Sequence, residues 1–207
     1  MKRMMLLQVV ERLLTINFKE EIKMAKKVFW KNLMSSEFDG SKLITGKFYE
    51  GNAYADIHDG ALVVIGDLDD STVYPSVKDF NVRKITKPTA VTDKVAIVDI
   101  SDVTNGQIAG VTYRDGIKGT DLVSPAGKQV RVRRLEIGDT FWLASGNFSS
   151  APTVGKYATV KANSTLFDAA TEITAGQTTV KIEATSKLIE GAVNTDDKYF
   201  CTVVALA

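Results

Sequence analysis

The chain has 207 residues, 25% of them charged and 44% hydrophobic, with a formal net charge of +1; these are the values of a globular protein long enough to bury a real core. A nearly neutral chain has no overall field that draws it to nucleic acid or to an anionic bilayer, so neither is an expected partner. One cysteine and one histidine exclude an intrachain disulfide and a multi-cysteine metal site, and a Cys–His nucleophile pair would need Cys201 and His58 to meet in space.

Residues 1–23 differ from everything after them. Leu6, Leu7, Val10, Leu13, Leu14 and Phe18 fall at helical spacing, which predicts one amphipathic helix. Glu11 and Arg12 break the apolar run and no small-residue cleavage site follows, which argues against a signal peptide. The run is also too short to span a bilayer. Lys19-Glu20-Glu21 can be encoded by AAG-GAG-GAA, a purine-rich stretch like a bacterial ribosome-binding sequence. Met24-Ala25-Lys26-Lys27 is a common kind of bacterial start. The expectation is therefore a native start at Met24, with 1–23 a translated leader. Removing its five Lys/Arg and three Asp/Glu leaves 21 against 22 and a net charge of −1, so the surface stays near neutral.

Residues 24–50 alternate short apolar clusters with polar spacers and two glycines, and read as an N-terminal arm with one strand in preference to the alternative, the first strands of the sheet. Residues 60–68 (GALVVIGDL) are the first strong strand, apolar through the centre and expected to be buried on both faces. Asp67, Asp69 and Asp70 follow it without EF-hand spacing, as a solvated acidic turn would. Pro75 and Pro88 flank a polar loop that marks a boundary between a small β lobe, 51–90, and a main β domain, 91–207. Further strands are expected at 94–100, at 107–113 after the Asn105-Gly106 turn signal, at 157–161, at 177–183 and at 198–206. In 129–145 (QVRVRRLEIGDTFWLAS), Val130, Val132, Leu135 and Ile137 read as the apolar side of a half-buried strand with a bulge at Arg133-Arg134. Gly138-Asp139 then turns the chain into a second strand, making a hairpin. Short strands punctuated by Gly, Asn and Asp, with almost no helical stretch, predict an all-β fold: a small barrel or sandwich of short antiparallel strands.

Chemical motifs are absent. There is no Gly-x-Gly-x-x-Gly, P-loop, zinc-binding His pair or Gly-x-Ser-x-Gly elbow, and no catalytic residue, metal ligand or cofactor is assigned. Asp56, Asp59, Asp67, Asp99, Asp102 and Asp115 sit near strand ends, where turns want Asp; a glycosidase-like carboxylate pair would have to form in space. Cys201 lies in an apolar run and reads as a small buried hydrophobe rather than a reactive thiol. Arg131, Arg133 and Arg134, with Lys128 nearby, read as a solvated strand face or a subunit contact with carboxylates. Trp30, Tyr49, Tyr54, Tyr113 and Trp142 are core or interface aromatics, or the lining of a sugar-binding face.

Several stretches together resemble a family of structural proteins of tailed bacteriophages. They are the Met24-Ala25-Lys26-Lys27 start, residues 60–68, residues 92–99 (TDKVAIVD) ahead of the turn at Gly106, residues 130–139 (VRVRRLEIGD) and Gly155-Lys156-Tyr157 before a Thr/Ala-rich loop. The resemblance covers most of 51–207 and carries no catalytic residues. It implies a head decoration or capsid-stabilising protein, located in the virion head and made in the host cytoplasm. Such a protein is a homo-oligomer, taken as a trimer, whose partner is the major capsid protein. A segment that orders on that partner is expected at 24–50, with Val28, Phe29, Trp30, Leu33 and Phe38 as the partner-binding residues. Two rivals stay open: a virion fibre or receptor-binding module for host-surface carbohydrate, and a β-fold hydrolase whose carboxylates meet only in space.

Overall fold

The computed structural model describes residues 25–69, 82–100, 106–108, 111–113, 122–190 and 193–207, with backbone alone for 106–108, 111–113, 188–190 and 193–195. The helix and leader expected over 1–23 lie outside these residues. Sixteen strands are described. They are β1 (Phe29–Leu33), β2 (Leu43–Glu50), β3 (Ala53–Tyr54), β4 (Ile57–His58), β5 (Leu62–Leu68), β6 (Val82–Thr86), β7 (Val95–Asp99), β8 (Gly106–Ile108), β9 (Val111–Tyr113), β10 (Val123–Ser124), β11 (Val130–Arg134), β12 (Thr140–Ala144), β13 (Tyr157–Val160), β14 (Phe167–Ala170), β15 (Thr179–Glu190) and β16 (Val193–Ala205). Three single-turn 3-10 segments, Ser35–Glu37, Gly40–Lys42 and Ser145–Asn147, are the helical content among these residues. The fold is all-β, as the turn punctuation predicts.

The barrel and the sandwich are both present. Strands β11-β7-β5-β6-β2 form a ring that closes through β11 pairing with β2, and β3 adds to the far end of β2. Pairing is antiparallel except between β2 and β6, which run parallel. Phe48, Val63, Ile85, Ala96, Val98, Val130 and Val132 fill the inside. Gly46 belongs to the same wall, and a Cβ there would come within 2.8 Å of the Ile85 side chain; its missing side chain is the room Ile85 occupies. Strands β1-β12-β16-β15-β13-β14 form a second, open sheet.

The two sheets share a wall. Because side chains alternate along a strand, Val63 of β5 and Ala96 and Val98 of β7 point into the barrel, while Leu62, Val95 and Ile97 point out of it. The outward set packs on the open sheet with Phe29, Phe141, Leu143, Phe167, Val180, Ile182 and Val203. All five residues of β7 are buried, which explains its uninterrupted apolar run.

Five expectations are corrected. Residues 129–145 are not a hairpin: β11 belongs to the barrel and β12 to the open sheet, and residues 135–139 carry the chain between them. Nor is there a bulge at Arg133-Arg134, since the register with β7 runs unbroken from Arg131 to Arg134. The alternation slips there because the strand ends and Leu135 enters the second core. Residues 24–50 are not an arm, because from residue 25 on they contribute β1 to the open sheet and β2 to the barrel. The loop before residue 90 is not a lobe boundary either, since β5, β6 and β7 pair side by side across it. The strand expected at 107–113 instead folds back as β8 paired with β9, with two residues between them.

Candidate functional site

The N-terminal segment is stitched to the body by its backbone. The Val28 amide donates to Asn147 Oδ1 at 3.0 Å, the Phe29 amide to Asp59 Oδ2 at 2.8 Å, and the Gly146 amide to the Lys26 carbonyl at 2.9 Å. Asp59 is fully buried, and its other oxygen accepts from the Ile100 amide at 2.8 Å. It therefore joins β1 to the end of β7. Gly60 has φ +71°, and a Cβ there would lie 2.5 Å from Asn147 Nδ2, so the residue after Asp59 must be glycine for this tie to close. Asn147 completes it by donating to the Asp59 carbonyl at 2.8 Å.

A second tie is ionic. Arg133 is 1% exposed. Its Nε and Nη2 both donate to Asp99 Oδ2 at 2.7 Å, and its Nη1 donates to Ser36 Oγ at 3.0 Å and meets Glu37 Oε1 at 2.5 Å. A buried guanidinium is tolerated because two carboxylates and a hydroxyl replace its water. The hydrogen bond from Lys31, with Arg133 beside it, holds the Glu37 carboxyl below the usual carboxylate range against the opposing effect of burial. Arg133 is thus neither a solvated residue nor a subunit contact. Nothing in its local pattern distinguishes it from Arg131 and Arg134, both exposed; burial comes from Ser35–Glu37 lying over it.

The five candidate partner-binding residues are divided by these ties. Val28 and Phe29 are 0% exposed and belong to the core, so neither faces a partner. Trp30 is half-buried on the outer face of the open sheet. Leu33 and Phe38 point to solvent at 58% and 82% exposure. They have a neighbour that sequence reasoning missed. Ile137, read as an inward strand residue, is 67% exposed at the crossing between the sheets.

All three lie around Asp139. Its carboxylate accepts from the Ser35 amide at 2.7 Å and the Glu136 amide at 2.9 Å, and Leu33 pairs with the adjoining Thr140. Lys42 Nζ lies 3.4 Å from Glu136 Oε1 and closes the same corner. The signal for Ile137 was its place directly before the Gly138-Asp139 turn, where a strand residue becomes a tip residue.

The aromatics separate into two groups. Trp30, Trp142 and Phe200 are successive cross-strand neighbours on the outer face of the open sheet, and Trp142 and Phe200 have ring centroids 5.1 Å apart. The Lys198 ammonium sits over both indoles, at 5.6 Å from Trp30 and 4.9 Å from Trp142. Tyr49 and Tyr54 meet on the barrel side with ring centroids 4.6 Å apart and planes tilted by 46°. Their hydroxyls donate to Asp69 at 2.6 and 3.2 Å, and Lys47 Nζ lies 3.1 Å from the same carboxylate. Burial would raise the Asp69 pKa, but the Tyr49 and Lys47 contacts outweigh it and hold the group below its ordinary value. The Tyr49 hydroxyl is pushed up by burial and by Asp69. The reading of Asp69 as part of a solvated turn is thus wrong, since the residue is 2% exposed. The side chain of Tyr113 lies outside the described residues.

Asp56 accepts from the Ala126 amide at 2.8 Å, a tie between segments far apart in the chain like that of Asp139 to Ser35. Asp102 and Asp115 lie outside the described residues. Among the described residues no group of three His, Cys, Asp or Glu is placed to hold a metal ion. Cys201 is fully buried, its thiol pushed up by that burial and directed at the Tyr199 carbonyl.

Comparison of the chain with protein-family models, with curated proteins and with solved structures finds no match. The candidate site therefore stands on its geometry. It is the corner around Asp139 where Leu33, Phe38 and Ile137 are held outward by backbone ties, beside the Lys42–Glu136 pair.

Proposed function

We propose that the protein is a non-enzymatic structural protein of a tailed-bacteriophage virion. In this reading it is a head decoration protein, an oligomer taken as a trimer, which binds the major capsid protein on the outside of the shell. The observation that carries the reading is the corner around Asp139. A body whose buried carboxylates serve backbone amides and Arg133 presents three large apolar side chains on separate segments to solvent. Their cost in water is recovered when a partner covers them. The backbone ties fix these segments beforehand, so docking there loses little conformational entropy. The resemblance in the strand and turn sequences supplies the class of partner.

A second reading, recognition of host-surface carbohydrate, draws on the Trp30-Trp142-Phe200 row. The Lys198 ammonium already occupies the indole faces that would stack on a sugar, and this favours the first reading. Mass spectrometry of purified virions from a phage carrying the gene tests the proposal. The expected result is a copy number in fixed proportion to the major capsid protein. Absence from the virion, or a copy number of only a few per particle, overturns it. Retention on a glycan array that is lost in Trp142→Ala would put the carbohydrate reading in its place.

A further inference from the structure

Beside the apolar corner lies a cleft of about 470 Å³ between the outer wall of the barrel and the crossing at residues 135–139. Val64, Val95 and Leu135 give it an apolar lining, and Lys42, Arg83, Lys94 and Arg134 stand around it. Asp93 and Glu136 also line it; Glu136 neutralises Lys42 within the cleft, so three cations, Arg83, Lys94 and Arg134, stand against the one remaining carboxylate. One Asp93 oxygen accepts from the Thr89 amide at 2.7 Å, the Ala90 amide at 2.9 Å and the Thr89 hydroxyl at 3.1 Å, contacts that hold its pKa down. Arg83 donates a single long bond of 3.4 Å to the Gly66 carbonyl. Lys94 and Arg134 are exposed and make no side-chain ion pair with the described residues. In a chain whose net charge is +1, this is a local concentration of positive charge over an apolar lining.

We infer that this cleft, together with Leu33, Phe38 and Ile137 at its edge, is the seat of an acidic chain segment of the partner protein carrying apolar residues among its carboxylates. The inference rests on the reading of the Asp139 corner as a docking surface. Three cations without a carboxylate partner among the described residues, Arg83, Lys94 and Arg134, arrive from three separate segments and suit an extended polyanion better than one compact ion, which wants donors converging on a point. The cleft and the apolar corner share the Lys42–Glu136 pair, and Ile137 follows Glu136 directly in the chain, so one chain segment can reach both. Unpaired rim cations steer such a segment to the surface, and the apolar side chains hold it there.

The test uses the full chain and a fluorescein-labelled 15-residue peptide alternating Glu and Leu pairs, with a Lys/Leu peptide and inorganic phosphate as the other probes. Fluorescence anisotropy at low salt is expected to show saturable binding of the Glu/Leu peptide alone. That binding should weaken as salt rises from 50 to 500 mM. The double variant Lys94→Glu/Arg134→Glu removes two attractions and adds two repulsions, and is expected to weaken binding by roughly tenfold or more. Lys128→Glu/Lys156→Glu, away from the cleft, should bind like the parent. Both substituted side chains at the cleft are solvent-facing, and an unchanged thermal midpoint shows that the fold is intact. If either is not tolerated, Arg83→Glu replaces it. Equal binding of both peptides, competition by millimolar phosphate, or undiminished binding by a folded cleft variant overturns the inference.

Co-sedimentation with undecorated capsid shells separates the two proposals. If shells bind the parent and the cleft variant equally, the cleft fails and the head reading stands. If shells bind neither while the peptide still selects the cleft, the head reading fails and the cleft stands.

Discussion

The barrel and the open sheet are built from similar strands and end with opposite surface properties. In the barrel, closure of β11 onto β2 pairs the ring strands on both sides, so little backbone is left to join another chain. The open sheet keeps two edges, β1 and β14, and one face on which no other described strand packs, carrying the half-buried Trp30, Trp142 and Phe200. The barrel thus acts as a closed scaffold, and the sheet, with the crossing that leads into it, presents the groups that can meet a partner. The two share one wall, because β5 and β7 supply side chains to both cores, and are therefore expected to unfold together.

That comparison can be broken first at its ionic tie. Arg133→Ala leaves Asp99 buried without its cation and is expected to lower unfolding free energy by about 3–5 kcal/mol. Replacing both partners together, Arg133→Met with Asp99→Leu, should recover much of the loss. A urea titration in which the single variant costs less than about 1 kcal/mol would show that solvent already reaches the pair.

The shared wall is the next point of attack. Ile97→Ala, in the wall, and Ile85→Ala, inside the barrel, should each cost about 2–5 kcal/mol. Both tryptophans, Trp30 and Trp142, lie in the open sheet, so their fluorescence follows that sheet while far-UV circular dichroism follows the whole molecule. In the parent and in both variants the two transitions are expected to coincide. Separate midpoints would mean that the regions unfold independently and that the wall does not couple them.

Asp59→Asn replaces one of the two oxygens that accept the Phe29 and Ile100 amides with an amide donor, and should cost about 1–3 kcal/mol. Hydrogen exchange is expected to quicken at Phe29 before it quickens inside the barrel. Uniform acceleration would remove Asp59 as the specific fastening of β1.

Smaller is the acid response of Glu37. Its folded pKa lies below the ordinary 4.5, so its contribution is present above that value and is lost as pH falls through the folded pKa. The side chain is one-third exposed, which limits the effect to below about 1 kcal/mol. Glu37→Gln should flatten stability against pH in this acid window, and an unchanged slope would assign the acid response to other carboxylates. The smallest effect belongs to Phe38→Ser, expected within about 0.5 kcal/mol of the parent in stability while weakening attachment to the partner.

Much of the fold was legible residue by residue. The apolar runs at 62–65 and 95–98 announced strands, and the glycine and asparagine punctuation announced short ones. Burial on both faces, expected of 60–68, holds only at its start, since residues 66–68 are exposed, and is complete instead in β7. The crossing at 135–139 was not legible, because the pattern of two strands joined by a Gly-Asp turn is the same whether the strands pair with each other or leave for different sheets. Exposure within 24–38 was equally hidden. Phe29, between Val28 and Trp30, and Phe38, between Glu37 and Asp39, both read as partner-facing in the sequence, yet the first enters the core through the Asp59 tie and the second is left outside by the turn that places Ser36 and Glu37 on Arg133.

Alternation, turn residues and composition by themselves determined that this chain forms β structure around apolar cores, because those properties act between near neighbours. Which strands share a sheet, which arginine loses its water and which apolar side chains are left facing solvent were decided only by tertiary structure. Those outcomes depend on contacts between segments about 30 to 170 residues apart, such as Phe29 with Asp59, Arg133 with Asp99 and Lys26 with Asp196, and local pattern carries no record of them.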